Sequence, residues 1–185
     1  MPIRLSLIPH PDMPSRGVTA VEVELIASPD ALLISYFITG SEDLVIPEWK
    51  AAARRDGLWE TTCFEAFLKA EGAEAYFEFN FSPSTEWAAY RFERYREGMS
   101  ELLQPLDPLV NRAAEPSDPV VEVDLGRAGL PDVPMRLGLS AVIEERDGRK
   151  SYWALAHPPG KPDFHHPDCF QLELPAARPH PSPRT

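Results

Sequence analysis

Cys63-Phe64-Glu65-Ala66-Phe67-Leu68, Tyr76-Phe77-Glu78-Phe79-Asn80-Phe81 and Trp87-Ala88-Ala89-Tyr90-Arg91-Phe92 decide the fold of this chain. In an extended backbone successive Cβ atoms point to opposite faces, so residues two apart share a side. Phe64, Ala66 and Leu68 share one face of the first run, and Cys63, Glu65 and Phe67 the other. In the second run Phe77, Phe79 and Phe81 oppose Tyr76, Glu78 and Asn80; in the third, Ala88, Tyr90 and Phe92 oppose Trp87, Ala89 and Arg91. Glu71-Gly72-Ala73 and Ser82-Pro83-Ser84-Thr85 supply turn chemistry between them. The pattern predicts a three-stranded antiparallel meander with a Phe-rich face, and with Glu65, Glu78, Asn80 and Arg91 gathered on the face opposite.

The same reasoning extends toward both ends. Strand candidates precede the meander at Ile3 to Ile8, Val18 to Ala27 and Leu32 to Thr39. Others follow at Val120 to Leu125, Met135 to Glu144, Tyr152 to His157 and Phe170 to Leu174, with Asp147-Gly148 as a hairpin signal between two of them. Trp49 to Arg55 is read as able to form a short helix, and Gln104 to Asp118, rich in Pro, Asp and Glu, as a loop. The 21 prolines are spread through the chain and punctuate its apolar runs, which disfavours long helices. Roughly nine or ten short strands without strand–helix alternation predict an all-β, antiparallel β-sandwich with long Pro-rich loops and at most short helices. One domain is expected over residues 1–175; residues 176–185 carry three prolines and no apolar periodicity, and are expected to be a disordered tail.

Composition narrows the function classes. Of 185 residues 43% are hydrophobic and 10% aromatic, enough for a core, and no stretch approaches the ~20 consecutive apolar residues of a membrane helix. The 29 acidic residues against 18 basic ones give a net charge of −11, which opposes binding to nucleic acid or to an anionic membrane surface. The apolar run near Met1 is too short for a signal-peptide core, so a cytoplasmic location is expected, with Cys63 and Cys169 as free thiols.

A longer succession carries a resemblance. Asp56-Gly57-Leu58-Trp59-Glu60-Thr61-Thr62 leads into the first strand of the meander, Tyr95-Arg96-Glu97-Gly98-Met99 follows its last, and Tyr152-Trp153-Ala154-Leu155-Ala156-His157-Pro158 and Lys161-Pro162-Asp163-Phe164-His165-His166-Pro167 come near the end. Together with the meander these residues resemble the DOMON-like relatives of family-nine carbohydrate-binding modules, over about Ile3 to Leu174. The resemblance implies a β-sandwich that binds a sugar or, in other branches, haem, in a module with no chemistry of its own.

Sugar recognition needs an apolar platform for the C–H face of a pyranose and planar polar groups for its hydroxyls. Trp59, Trp87 and Trp153 supply the first type, and Glu65, Glu78, Asn80 and Arg91 the second. Cross-strand ion pairing would equally explain Glu65, Glu78 and Arg91, as core packing would the tryptophans. The Pro-rich loop holding His157, Asp163, His165 and His166 is the most site-like stretch, and these four are candidate ligand contacts. Its histidines could instead hydrogen-bond loop carbonyls, or hold a metal ion, although no zinc-type spacing is present. A haem would draw on Met99, Met135 or His157 as axial types. No nucleophile elbow, metalloprotease helix motif or phosphate-binding loop is present. The leading expectation is therefore a non-catalytic binding domain for a small polar ligand, a carbohydrate or sugar derivative. A sugar-active hydrolase, a protein-interaction domain and a haem-binding module stand as alternatives.

Overall fold

β1 (Ile3–Pro9), β2 (Ala20–Ala27) and β3 (Ala31–Thr39) run antiparallel in chain order, with Leu5 opposite Val23 and Val23 opposite Tyr36. The computed structural model describes residues 1–40, 42–102, 109–112, 120–127 and 130–177. β4 (Cys63–Ala70), β5 (Tyr76–Phe81) and β6 (Trp87–Phe92) form the expected meander, and β7 (Ser100–Glu101) adds to its edge. β8 (Leu109–Arg112) and β9 (Val121–Gly126) pair with each other, and β9 pairs with β3 to complete one sheet. β10 (Met135–Glu144), β11 (Lys150–Ala154) and β12 (Leu172–Leu174) complete the other. β10 is central there: one edge pairs with β4 along its length, while the other takes β12 on Met135–Leu137 and β11 on Ser140–Glu144. β1 joins the two sheets, pairing with β2 over Ile3–Leu7 and with β11 at Ile8 and Pro9.

The sheets pack face to face. Phe64, Ala66, Leu68, Phe77, Phe79, Phe81 and the inward residues of β10 meet Val21, Val23, Leu25, Leu32, Ile34, Val121, Val123 and Leu125, all buried. The Tyr36 hydroxyl crosses this core and donates to the backbone oxygen of Glu65 at 2.9 Å, which satisfies a polar group that burial would otherwise penalise. The architecture is the all-β antiparallel sandwich that the alternation predicts.

The second sheet is covered on its outer face as well. Cys63, Phe67, Tyr76, Tyr90, Phe92 and Val142 lie there beneath Leu58, Phe164 and Phe170 from loops, so every residue of β5 is buried. Short 3-10 turns at Leu58–Glu60 and Pro167–Cys169 hold these loops down. Gly57 opens the first with φ 76, a region that L side chains enter only under strain. At Gly138 on β10 a Cβ atom would lie 3.0 Å from the backbone oxygen of Cys169, so glycine lets the second loop sit directly on the strand.

Two local expectations are corrected. Trp49 to Arg55 is not a helix. Its backbone runs beside the start of β6 instead, with hydrogen bonds from Lys50 N to Ser84 O, Trp87 N to Ala53 O and Arg55 N to Trp87 O; pairing of the β6 edge outweighs the helix preference of a few alanines. The stretch read as a loop over Gln104 to Asp118 contains β8, whose only buried apolar anchor is Val110, too short an alternation to register in sequence. The remainder of that stretch, and residues 178–185 of the expected tail, lie outside the described residues. Cys63 and Cys169 are both buried free thiols.

Candidate functional site

A cleft of about 360 Å3 opens on the outer face of the second sheet. Its floor comes from neighbouring strands: Glu65 on β4, Glu78 on β5, Phe92 on β6, Val142 on β10 and Tyr152 on β11. Loops supply the walls, with Trp59 from the first 3-10 turn, Arg96 and Met99 from the turn after β6, and Pro162, Phe164 and His165 from the Pro-rich loop. Trp59 stands 40% exposed at the rim, edge-on to Tyr90 with ring centroids 6.1 Å apart.

The polar floor follows from strand register. Glu65 lies opposite Asn80, and Glu78 opposite Phe67, so the two glutamates are diagonal neighbours on one face. Asn80 Nδ2 donates to Glu78 Oε1 at 2.7 Å, and Ser140 Oγ donates to Glu65 Oε2 at 3.2 Å. Burial pushes the Glu65 carboxyl well above the usual carboxylate range, and the neighbouring Glu78 adds to that. Glu78 is raised by burial too, against the opposing pull of the Asn80 hydrogen bond and the Arg96 guanidinium. The floor is thus able to donate a proton at one carboxyl while accepting hydrogen bonds at the other.

A chain of contacts ties this floor to the loops. The backbone N–H of Arg96 donates to the Tyr76 hydroxyl at 3.2 Å, and that hydroxyl lies 2.8 Å from His165 Nδ1. With the hydroxyl donating to Nδ1, the histidine carries its own proton on Nε2, which faces Glu78 Oε2 at 3.8 Å. Burial, with help from Arg96, pushes His165 down to about 4, so it is a neutral group at physiological pH. Asp163 accepts from Arg96 Nη2 at 2.7 Å, from the Tyr95 hydroxyl, and from the His165 backbone N–H at 3.1 Å. These bonds outweigh burial and hold its carboxyl below the usual range. Arg96 and Pro162 also line a second, adjoining groove with Lys161, Asp163 and His166.

The structure brings together some of the candidate residues and not others. Trp59, Glu65, Glu78 and His165 line the cleft, with Asn80 bonded behind Glu78; Asp163 and His166 line the adjoining groove. Arg91 is not on the carboxylate face: it pairs with Phe77, while Tyr90 and Phe92 pair with Glu78 and Tyr76. The expected grouping of Arg91 with Glu65 and Glu78 is corrected accordingly, and neither glutamate forms an ion pair with it. The reason is register: Ala88, Tyr90 and Phe92 pair with Asn80, Glu78 and Tyr76, which puts Arg91 on the opposite face. Trp87 shares the inward face and packs against the inter-sheet core, as does Trp153, whose Nε1 donates to Ser151 Oγ at 2.9 Å. His157 donates from Nε2 to the backbone oxygen of Ile8 at 2.8 Å and meets the His10 ring edge-on, a loop-holding role. His166 accepts from Asp168 N and caps the second 3-10 turn.

Among the described residues no group of His, Cys, Asp and Glu is arranged to hold a metal ion. The haem-ligand types do not converge: Met135 is buried between the sheets, His157 is bonded to Ile8, and only Met99 borders the cleft.

Tyr76, Phe92, Tyr152, Phe164 and Arg96 belong to the site but escaped sequence reasoning. Tyr76 shares a face with Glu78 by alternation within β5 and could have been found on that signal; Phe92 depends on the register of β6, and Phe164 and Arg96 arrive on loops.

Burial of Glu65 has a pH signature. Below its ordinary value of 4.5 the carboxyl is protonated in folded and unfolded chains alike, and its contribution to stability is fully present. As pH rises toward the raised folded value the unfolded chain releases the proton first, so stability is lost. Glu65→Gln keeps the shape and stays neutral. It is expected to match the parent near pH 4 and to melt higher than the parent above neutrality. Melting curves across that range check this; a parent chain more stable than the variant at pH 8 contradicts it.

Comparison with known proteins supports the architecture. No protein-family model matches the sequence, and no curated protein matches it. Among solved structures, a candidate carbohydrate-binding protein from Bacteroides uniformis ATCC 8492 is similar over 94% of this chain and 85% of its own, at 16% identity and a TM-score of 0.66. A family-nine carbohydrate-binding module from Caldicellulosiruptor kristjanssonii, solved with cellotriose, is similar over 93% and 82%, at 13% identity and a TM-score of 0.52. The same description solved with glucose gives 92% and 83%, at 12% identity and a TM-score of 0.50. The chain therefore has the fold of the family-nine carbohydrate-binding modules.

Proposed function

We propose that this protein is a non-catalytic carbohydrate-binding domain whose ligand occupies the cleft on the outer face of the second sheet. The observation that carries this reading is the combination in one cleft of aromatic walls with a buried, hydrogen-bonded carboxyl floor. Trp59, Phe92 and Phe164 present apolar surface for sugar C–H groups, while Glu65, Glu78 and the neutral His165 offer donors and acceptors for hydroxyls. Similarity of fold to modules solved with cellotriose and glucose supports the same class of ligand. A relation to the DOMON-like proteins belongs to the same proposal and rests on the sequence resemblance over the meander and its flanking loops.

Calorimetric titration with glucose, cellotriose and a panel of other mono- and oligosaccharides tests it. A saturable heat with one site per chain, accompanied by a raised melting temperature, is the expected result. A folded protein that gives neither across the panel overturns the reading. Continuous heat from product formation would replace it with the hydrolase alternative, for which Glu65 and Glu78 are the carboxyl pair.

A further inference from the structure

The carboxyl floor holds more acceptors than the protein fills. Glu65 and Glu78 are only 4% and 6% exposed, yet both line the cleft. Ser140 and Asn80 engage one oxygen of each, and among the described residues no hydrogen bond reaches Glu65 Oε1 or Glu78 Oε2. Nor does a lysine or arginine form an ion pair with either among the described residues: Arg96, the cation of the cleft wall, is committed to Asp163, and His165 Nε2 stays 3.8 Å from Glu78. Both free oxygens open to the cleft, where a donor on a ligand can take the place of solvent. A neutral sugar hydroxyl completes one acceptor, whereas an ammonium supplies three donors and the opposite charge.

We infer that the cleft prefers an amino sugar, one bearing a free ammonium, over its neutral counterpart, with the ammonium seated between Glu65 Oε1 and Glu78 Oε2. This rests on the carbohydrate reading above and specifies its ligand. The sugar ring lies against Trp59 at the rim and Phe92 in the floor, which fixes the ammonium toward the sheet. The net charge of −11 favours approach of such a cation.

Proton balance follows from the groups around the pair. Within the second sheet these are Cys63, Tyr76, Tyr90 and Tyr152, and from the opposite sheet Tyr36 reaches the Glu65 backbone. The loops add His165, Arg96 and Asp163, of which the last two neutralise each other. Since His165 is neutral and burial raises the Cys63 thiol and the Tyr36, Tyr76 and Tyr90 hydroxyls, the carboxyl pair is the group whose proton an arriving ammonium displaces. That proton passes to buffer, and the ligand's charge replaces it.

Titration of the full chain near pH 7 with matched pairs, glucosamine against glucose and galactosamine against galactose, in two buffers of different ionisation enthalpy, tests the inference. The amino sugar of a pair is expected to bind roughly ten- to a hundredfold tighter, as charge-assisted hydrogen bonds allow, and to release protons to the buffer. In Glu78→Gln, and separately in Glu65→Gln, the ratio is expected to fall toward one. Equal affinities within every pair, or a preference that survives both substitutions, overturn the inference while leaving the carbohydrate reading in place. Absence of binding by all four sugars overturns the inference, while the carbohydrate reading stands or falls with the wider panel of mono- and oligosaccharides.

Discussion

Phe79→Ala is expected to lower the free energy of unfolding by about 3–5 kcal/mol, the range for truncating a buried aromatic ring. Phe79 sits in the middle of β5, fully buried, on the face that meets the other sheet. Its cross-strand neighbours are Ala66 on β4 and Ala89 on β6. Two alanines cannot swing over to fill the space a missing ring leaves, so the cavity persists and the loss falls toward the upper end of that range. For a chain of this length the melting temperature should drop by roughly 10 °C. Urea and thermal melts measure it, and a loss under about 1 kcal/mol would mean that this face is not the core.

Trp59→Ala is expected to leave the melting temperature nearly unchanged while weakening sugar binding by about 2 kcal/mol, roughly thirtyfold. The indole is 40% exposed on a three-residue turn and its contact with Tyr90 is edge-on, so little packing depends on it. Whatever it contributes is contributed to a ligand in the cleft. Trp153→Ala, at a residue buried between the sheets, should show the reverse, a large stability loss. Titration and melting of the two variants side by side separate these roles; unchanged affinity in Trp59→Ala would remove the rim from the site. This contrast also distinguishes the cleft from a general effect of losing a tryptophan.

How much of this was legible beforehand varies by element. Period-two alternation in the meander identified β4, β5 and β6 within two residues of their ends, and Asp147-Gly148 identified the turn from β10 to β11. Glu65, Glu78 and Asn80 were placed together correctly, because they follow from alternation within paired strands. Arg91 was placed on the wrong side because a strand's own pattern names two sets of residues without saying which set faces which layer. In a sheet with one solvated face, polarity settles that question. Here the second sheet carries a sandwich partner on one side and aromatic loops on the other, so polarity does not distinguish them.

The sequence by itself therefore determined the class of fold, the strands of the meander and the sets of residues that travel together on each strand. These are consequences of local backbone geometry, in which neighbouring side chains must alternate. Only the tertiary structure decided which set of β6 faces the cleft, that Arg96, Phe164 and His165 close over it, and that Glu65 and Glu78 are buried. Those outcomes depend on pairing register and loop docking between residues tens of positions apart, and no local alternation encodes them.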